Sequence, residues 1–463
     1  MAFAISLPAL VTACSFQQYN PKVLDTAAIT QKIELKNPKG EKFNQFLLNN
    51  GYTTDQLPLQ IFGLKELTYC ALFFHPNLDT VRSQWHSAEL AESATAERAP
   101  PTINGHFARS NQANNDISPY AFGLSIDIPL DINNKREIRI ENAKHLSQAA
   151  KLEIAQTAWE LRNQVAKTLH EHQLNQQHIK ILLAEQQIRQ GIVDIYQKRV
   201  NLGVASNVEL SLAKLQLEST RTELNTWQKN HLITQSKLSG NLGLSLVQVS
   251  AIKLEEDSPY KLSQHTTIDA SELQKNALLN RIDLRIALER YAASEAKLKL
   301  EIAKQYPDIT ISPGYVYEFG DKIWSLGISS LLSLLNKNKI AIAEATQLRE
   351  VEAAQFEALQ SKVISETDLA ISSVAQAQES LQNQQVLLTQ QKRKLERLQR
   401  QLKSGEINRL EYSYSKLEQT SAEKNVALAE YQLQTTINNL ENAVQQPLFS
   451  ENNLNTELLK PME

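Results

Sequence analysis

The chain has 463 residues, enough for several ordinary domains or for one elongated body, so length alone selects neither. With 13 Gly and 14 Pro, and with Gln, Leu, Ala, Glu and Lys filling its longest stretches, it has the composition of long helices rather than of turns. Its 48 basic and 51 acidic residues are interspersed and leave a formal charge of -3; no Lys/Arg-rich face is offered to a phosphate backbone, which argues against a nucleic-acid partner.

Residues 1–14 form an uncharged apolar stretch that ends in small side chains. Val11-Thr12-Ala13-Cys14 reads as a bacterial lipobox, in which cleavage leaves Cys14 as an acylated first residue and Ser15-Phe16-Gln17-Gln18 as a tether. The basic region expected ahead of such a stretch is missing, which a start assigned too late would explain; the competing reading is an ordinary buried N-terminal segment. Cys70, beside Tyr69 and Leu72, is expected as a small buried apolar side chain. Residues 15–62 are weakly patterned, with Pro21, Pro38 and Pro58 breaking any long helix. No other stretch approaches the roughly 18 apolar residues of a membrane-spanning helix, so any crossing must be made by barrel strands.

The remainder is organised twice over. A first repeat, 63–250, and a second, 269–446, flank a linker at 251–268 that contains Asp257-Ser258-Pro259; residues 447–463 form a peripheral tail. Each repeat is expected to carry a helix of about 30 residues, two alternating strands, one very long helix, a glycine turn and a returning helix. Leu78 to Ala99 followed by Pro101 has its counterpart in Leu284 to Gln305 followed by Pro307, at the same separation.

Strand character is plain in both repeats. Phe122, Leu124, Ile126, Ile128 and Leu130 alternate with Ala121, Gly123, Ser125, Asp127 and Pro129. Ile309, Ile311, Tyr315, Tyr317 and Phe319 alternate with Thr310, Ser312, Gly314, Val316 and Glu318, Pro313 being the exception on the apolar side. A small soluble sheet would show this pattern; so would transmembrane barrel strands of about 9 to 11 residues. Four strands cannot close a barrel, whose smallest monomeric form has about eight, so the second reading requires several subunits. Tyr120, Tyr315, Tyr317 and Trp324 are candidate interfacial aromatics.

The long helices follow. Leu174, Ile181, Ile188, Ile195 and Leu202 recur every seventh residue, as do Val374, Leu381, Leu388, Leu395 and Leu402, which predicts coiled-coil packing. A helix from Arg136 to Val200 would be roughly 95 Å long, and one from Lys339 to Leu402 similar. Gly203 and Gly405 are placed to end these helices in a positive-φ conformation, with Ser206 or Asn207, and Asn408, capping the returning helices.

His75-Pro76-Asn77-Leu78, the four strands, Arg199-(x)3-Gly203-(x)4-Val208-Glu209-Leu210 and Gly405-(x)4-Leu410-Glu411 together resemble the TolC-like outer-membrane efflux protein family, in its lipoprotein branch serving multidrug and heavy-metal pumps. The resemblance covers about 63–446 and rests on the order and spacing of all elements. It implies a mainly α fold with membrane β structure: a homotrimer with a twelve-stranded barrel and an α-helical tunnel. It implies lipid anchoring in the outer membrane, a long periplasmic extension, and passive conduction of small molecules or ions without enzymatic activity or a cofactor. It also implies a periplasmic adaptor touching the turns at Gly203 and Gly405, and an inner-membrane pump of the RND type. A conduit for type I protein secretion is the alternative within the family, and a soluble coiled-coil scaffold the alternative outside it.

The resemblance places Glu209 and Glu411 at a periplasmic constriction, with Tyr414 standing where a second acidic residue is common. Capping charges at a helix start are the plainer reading of both carboxylates. Lys214 and Lys416 lie five residues beyond them, out of i,i+4 register, which leaves intersubunit pairing open. His170, His172 and His178 lack metal-binding spacing and are read as solvated helix residues, so no metal site is expected. The two methionines, Met1 and Met462, supply no thioether path for soft metals.

Overall fold

The computed structural model describes residues 18–111, 118–256, 269–330 and 337–448. Cys14 lies outside the described residues, as do Asp257, Ser258 and Pro259 of the expected linker. The first half comprises α1 (Thr26–Glu34), α2 (Glu41–Asn49), a 3-10 turn at Thr54–Gln56, α3 (Leu64–Phe74), α4 (Pro76–Thr95), β1 (Thr102–Arg109), β2 (Tyr120–Leu130), α5 (Lys135–Asn201), α6 (Asn207–Leu242) and α7 (Leu246–Ser250). The second comprises α8 (Ala270–Asn280), α9 (Ile282–Ala303), β3 (Ile309–Glu318), β4 (Asp321–Ser330), α10 (Lys339–Ser404) and α11 (Arg409–Val444).

The single helix of about 30 residues expected at the head of each repeat is instead two helices. Pro76 has no amide hydrogen and opens α4, while His75 takes an extended conformation and its Nδ1 accepts from Asn77 N at 3.2 Å. The second repeat makes the same break without proline. There Arg281 is extended, and its guanidinium donates to Asp283 (2.7 Å), Glu366 (3.2 Å) and the Ala443 carbonyl (2.6 Å).

All four strands form one antiparallel sheet in the order β1-β2-β3-β4, so the two repeats interlock through the β2–β3 pair. Phe319 and Gly320, both at positive φ, make the two-residue turn between the paired residues Glu318 and Asp321. Register puts Ile103, Phe107, Phe122, Leu124, Ile126, Ile128, Ile311, Tyr315, Tyr317, Trp324, Leu326 and Ile328 on one face. Asn104, Ser125, Asp127, Thr310, Ser312, Gly314, Ser325 and Gly327 lie on the other. In β2 the exposed residues are the apolar ones, and Ala121, Gly123, Ser125 and Asp127 are partly or wholly covered, the reverse of a soluble sheet on a core. Pro313 sits on the apolar face opposite Leu326. Aromatic pairs reinforce that face: Tyr315 meets Trp324 edge-on at 5.0 Å and Phe122 stacks on Tyr317 at 5.1 Å.

Both passages from strand to long helix turn on two successive left-handed residues, Asn133 and Asn134 before α5, Lys337 and Asn338 before α10. Side chains fasten these corners. Lys135 Nζ donates to the Tyr306 carbonyl (2.6 Å) and to Asp308 (2.7 Å), Arg136 to the Ala96 carbonyl (2.8 and 2.9 Å), and Asn338 Nδ2 to the Glu301 carbonyl (2.8 Å).

The main core gathers α2–α4, the first half of α5, the end of α6 and segments of α8–α11, with Leu169, Leu238, Leu284, Val363, Val374 and Ile437 all buried. Cys70 is buried within it as a free thiol. Arg162 on α5 and Glu441 on α11 form an ion pair of 2.7 Å inside this core, and Glu441 also accepts from Leu448 N at 2.8 Å. Along distal α10, residues 381, 384, 388, 391, 394, 395, 398, 401 and 402 are the half-covered ones, and 381, 388, 395 and 402 keep the seven-residue rhythm of packing against α11. Leu202, by contrast, is exposed, because α5 ends one residue earlier.

The histidines correct the sequence reading. His170, His172 and His178 are buried rather than solvated, because α6 and α11 both pack on α5 over this stretch. Among the described residues no helix is long and apolar enough to cross a membrane, and no group of three or more His, Cys, Asp or Glu is placed to hold a metal ion.

Candidate functional site

Each long hairpin turns in the same way. Val204 N reaches back to the Arg199 carbonyl at 2.9 Å, and Glu406 N to the Gln401 carbonyl at 2.9 Å, with Gly203 (φ +73) and Gly405 (φ +80) supplying the left-handed step. This satisfies carbonyls that a helix end leaves free.

The returning helices start differently. Ser206 caps α6 through a reciprocal box: its Oγ accepts from Glu209 N (3.2 Å), and the Glu209 carboxylate accepts from Ser206 N (2.8 Å) and Oγ (2.9 Å). Those two hydrogen bonds hold the exposed Glu209 carboxyl below its usual range. Asn408 caps α11 alone, its Oδ1 accepting from Leu410 N (2.9 Å) and Glu411 N (3.0 Å). Glu411 instead lines a cleft of about 370 Å³ with Lys394, Leu398, Tyr414 and Glu418. Burial, the hydrogen bond with Tyr196 and that ring's own charge push the Tyr414 phenol up to about 12; a smaller contribution from Glu209 places that carboxylate within electrostatic reach. Lys416 lies 5.1 Å from the Tyr412 ring.

Two features lock the hairpins together above the turns. Ile192, Val193, Leu210, Ala213 and Leu217 form a small apolar cluster into which Leu410 and Leu417 of α11 pack, and Tyr196 Oη meets Tyr414 Oη at 3.4 Å. Farther up, the buried Glu185 is paired with Arg189 (2.7 Å) and Lys424 (3.1 Å) and accepts from Thr220 Oγ1 (3.3 Å). Burial alone would raise its carboxyl; the bonds from Arg189 and Lys424 outweigh that and hold it low. Sequence reasoning missed this girdle. The Glu185–Arg189 spacing of i,i+4 was an available signal, whereas Lys424 comes from the other repeat and had none.

The two tips present different surfaces. Leu202, Val204, Val208, Leu212 and Leu215 are exposed around the first, while the second exposes Lys403, Glu406 and Arg409.

Two long helical hairpins are thus joined to a four-stranded antiparallel sheet that exposes an apolar face and, among the described residues, leaves the β1 and β4 edges unpaired. The chain belongs to the outer membrane efflux protein family, whose model matches residues 77–244 and 273–445, one block in each half. The cobalt-zinc-cadmium resistance protein CzcC of Cupriavidus metallidurans is 22% identical over 250 residues, which are 54% of this chain and 58% of that protein. The match thus spans little more than half of that relative's length. Among solved structures, the outer-membrane channel OprN shares the fold with a TM-score of 0.68 at 19% identity, over 83% of this chain and 90% of that one. The outer membrane protein VceC of Vibrio cholerae does so at 0.67 and 16%, over 83% and 96%.

Proposed function

We propose that the chain is one subunit of a homotrimeric efflux channel of the outer membrane, a passive conduit rather than an enzyme. The observation that carries this reading is the sheet, with its exposed apolar face, its polar opposite face, and the β1 and β4 edges unpaired among the described residues. In hydrocarbon such edges leave backbone groups unsatisfied, and pairing β4 of one copy with β1 of the next removes them in a closed ring. Three copies give twelve strands. On this reading 63–250 and 269–446 are the two repeats of a tunnel wall, 15–62 packs at its waist, and Cys14 is the acylated N-terminus.

The turns at Gly203 and Gly405 would then face a periplasmic adaptor, and behind it an inner-membrane pump of the RND type. Exposed aliphatic side chains at the first tip support such a docking role. Glu209, Glu411 and Tyr414 would ring the narrow end, where three-fold symmetry multiplies each charge. The name of CzcC supports divalent metal ions among the cargoes.

A three-dimensional reconstruction of the detergent-purified protein tests the architecture; a closed monomeric barrel or a soluble bundle would refute it. Intact mass should show loss of residues 1–13 and added lipid on Cys14, and an unmodified chain would remove the anchor. Replacing Glu209 and Glu411 by Gln should lower cation preference in single-channel recordings, with the difference shrinking at high salt. Equal preference at both salts would leave these two as helix-start charges.

A further inference from the structure

A layer of aromatic nitrogen heterocycles lies between α5 and α6, away from both tips and from the sheet. His172 and His231 face each other with ring centroids 4.7 Å apart and planes inclined by 36°. Further along α5, His178 lies almost flat on Trp227 at 4.0 Å and 12°. Among the described residues, Nδ1 of His172, Nδ1 of His231 and both ring nitrogens of His178 have no hydrogen-bond partner. His231 Nε2 meets Gln235 Nε2 at 3.3 Å; with the amide donating, the ring proton of neutral His231 falls on the unpartnered Nδ1. A neutral imidazole tolerates such a site. An imidazolium brings a charge and two obligatory donors into it, and does not.

The charged groups around the layer offer these rings no counter-ion. Lys424 approaches His178 from α11, and Arg162 lies near His170 on the same helix. Glu171 and Lys237 pair with each other at 3.1 Å across the α5–α6 edge. In the cleft lined by Gln173 and Gln177, Glu256 is paired with Lys180 at 2.7 Å, and Glu430 projects from α11.

We propose that this layer is an acid-sensitive clasp: protonation of the His172–His231 stack parts α5 from α6 midway along the first hairpin, while the second hairpin, which contains no histidine, stays closed. Burial, and then the charge of His231, holds His172 down to about 4; burial and then Lys424 do the same to His178. Folded values below the ordinary 6.5 mean that the neutral layer contributes fully above that pH and progressively less as pH falls toward 4. A protonated His178 would keep a favourable contact with the Trp227 face, so the trigger lies in the His172–His231 stack. The inference goes beyond the channel reading, because it rests on packing within one chain and holds whatever passes through the assembly.

Hydrogen exchange of the full chain in detergent, at pH 7.5 and 5.0 and normalised for intrinsic rates, tests it. Peptides covering 168–180 and 224–236 should lose protection roughly tenfold at the lower pH, while α10 and α11 do not. The double variant His172→Phe/His231→Phe keeps two stacked rings and should abolish that loss; His178→Phe should change it little. Should the double variant fail to fold, His231→Phe alone should make the pH dependence shallower. Unchanged protection at pH 5.0 in the wild type, an undiminished loss in the double variant, or an unchanged steepness in the single one would each overturn the clasp.

Discussion

α5 and α10 are repeats of one another, 67 and 66 residues long, yet they occupy different positions in the molecule. α5 is buried against α3, α4, α6, α9 and α11, and its buried residues run from Lys135 to Val193. Among the described residues α10 packs chiefly on α8, α9 and α11, and none of its residues beyond Ala377 is buried. Duplication of sequence therefore conserved the helix, its corner and its turn, while burial diverged. One copy became the internal post of the molecule, and the other kept a long face uncovered.

The largest test of this contrast is Glu441→Gln. It strands the Arg162 guanidinium in the core around α5, and leaving one partner of a buried pair uncompensated costs about 3–5 kcal/mol. Urea unfolding followed by helical circular dichroism should show that loss. Next comes a matched pair in the same chain. Leu182→Ala on α5, at 0% exposure, should cost about 2–5 kcal/mol, whereas Leu387→Ala on α10, at 49%, should stay within ~0.5 kcal/mol. Equal losses would erase the distinction between post and open wall.

Smaller effects probe what the repeats still share. Nothing lies within 4 Å of a Cβ added at Gly203 or Gly405, so Gly→Ala at either should cost about 1 kcal/mol from backbone strain alone, and the same at both. Clearly unequal values would mean that the two turns are not equivalent. The smallest effect separates the caps by pH. Ser206→Ala should cost about 1 kcal/mol at pH 7. Because the folded Glu209 carboxyl is depressed, the part of that cap owed to its charge is present above the ordinary carboxylate range and is lost as pH falls through the folded value. The cost of Ser206→Ala should therefore shrink by pH 3, while Asn408→Ala, whose amide does not titrate, provides the reference. A pH-independent Ser206→Ala would show that the carboxylate adds nothing.

Long-range rhythm was the most legible part of the sequence. The repeated order of long stretches of helix-type composition placed α5 and α10 to within two residues of their ends, and two-residue alternation exposed β2 and β3, with Pro313 the one irregularity. β1, diluted by Gly105, and β4, with Ile323 on its polar face, were read only through the repeat. The break at Arg281 is not legible in the sequence since no proline marks it; besides the neighbouring Asp283, the groups that hold Arg281 there are Glu366 and the Ala443 carbonyl, far along the chain. Burial of His172 and His178 was illegible for the same reason. A helix face says what it is made of, and its neighbours decide whether water reaches it. Of the tip residues, Gly203, Gly405, Ser206 and Asn408 act locally and were readable, whereas Glu185 depends on Lys424 from the other repeat.

The paired left-handed residues at Asn133–Asn134 and Lys337–Asn338 have a mechanical consequence. At 1.5 Å per residue each long helix is a lever of about 100 Å, so an angular error of one degree at the corner displaces the tip by roughly 1.7 Å, about half a hydrogen-bond length. Left-handed backbone is disfavoured for asparagine and more so for lysine, which makes it a narrow well rather than a loose joint. The fasteners at Lys135, Arg136 and Asn338 narrow it further. Aiming accuracy at one end of the molecule is thus set by four residues at the other.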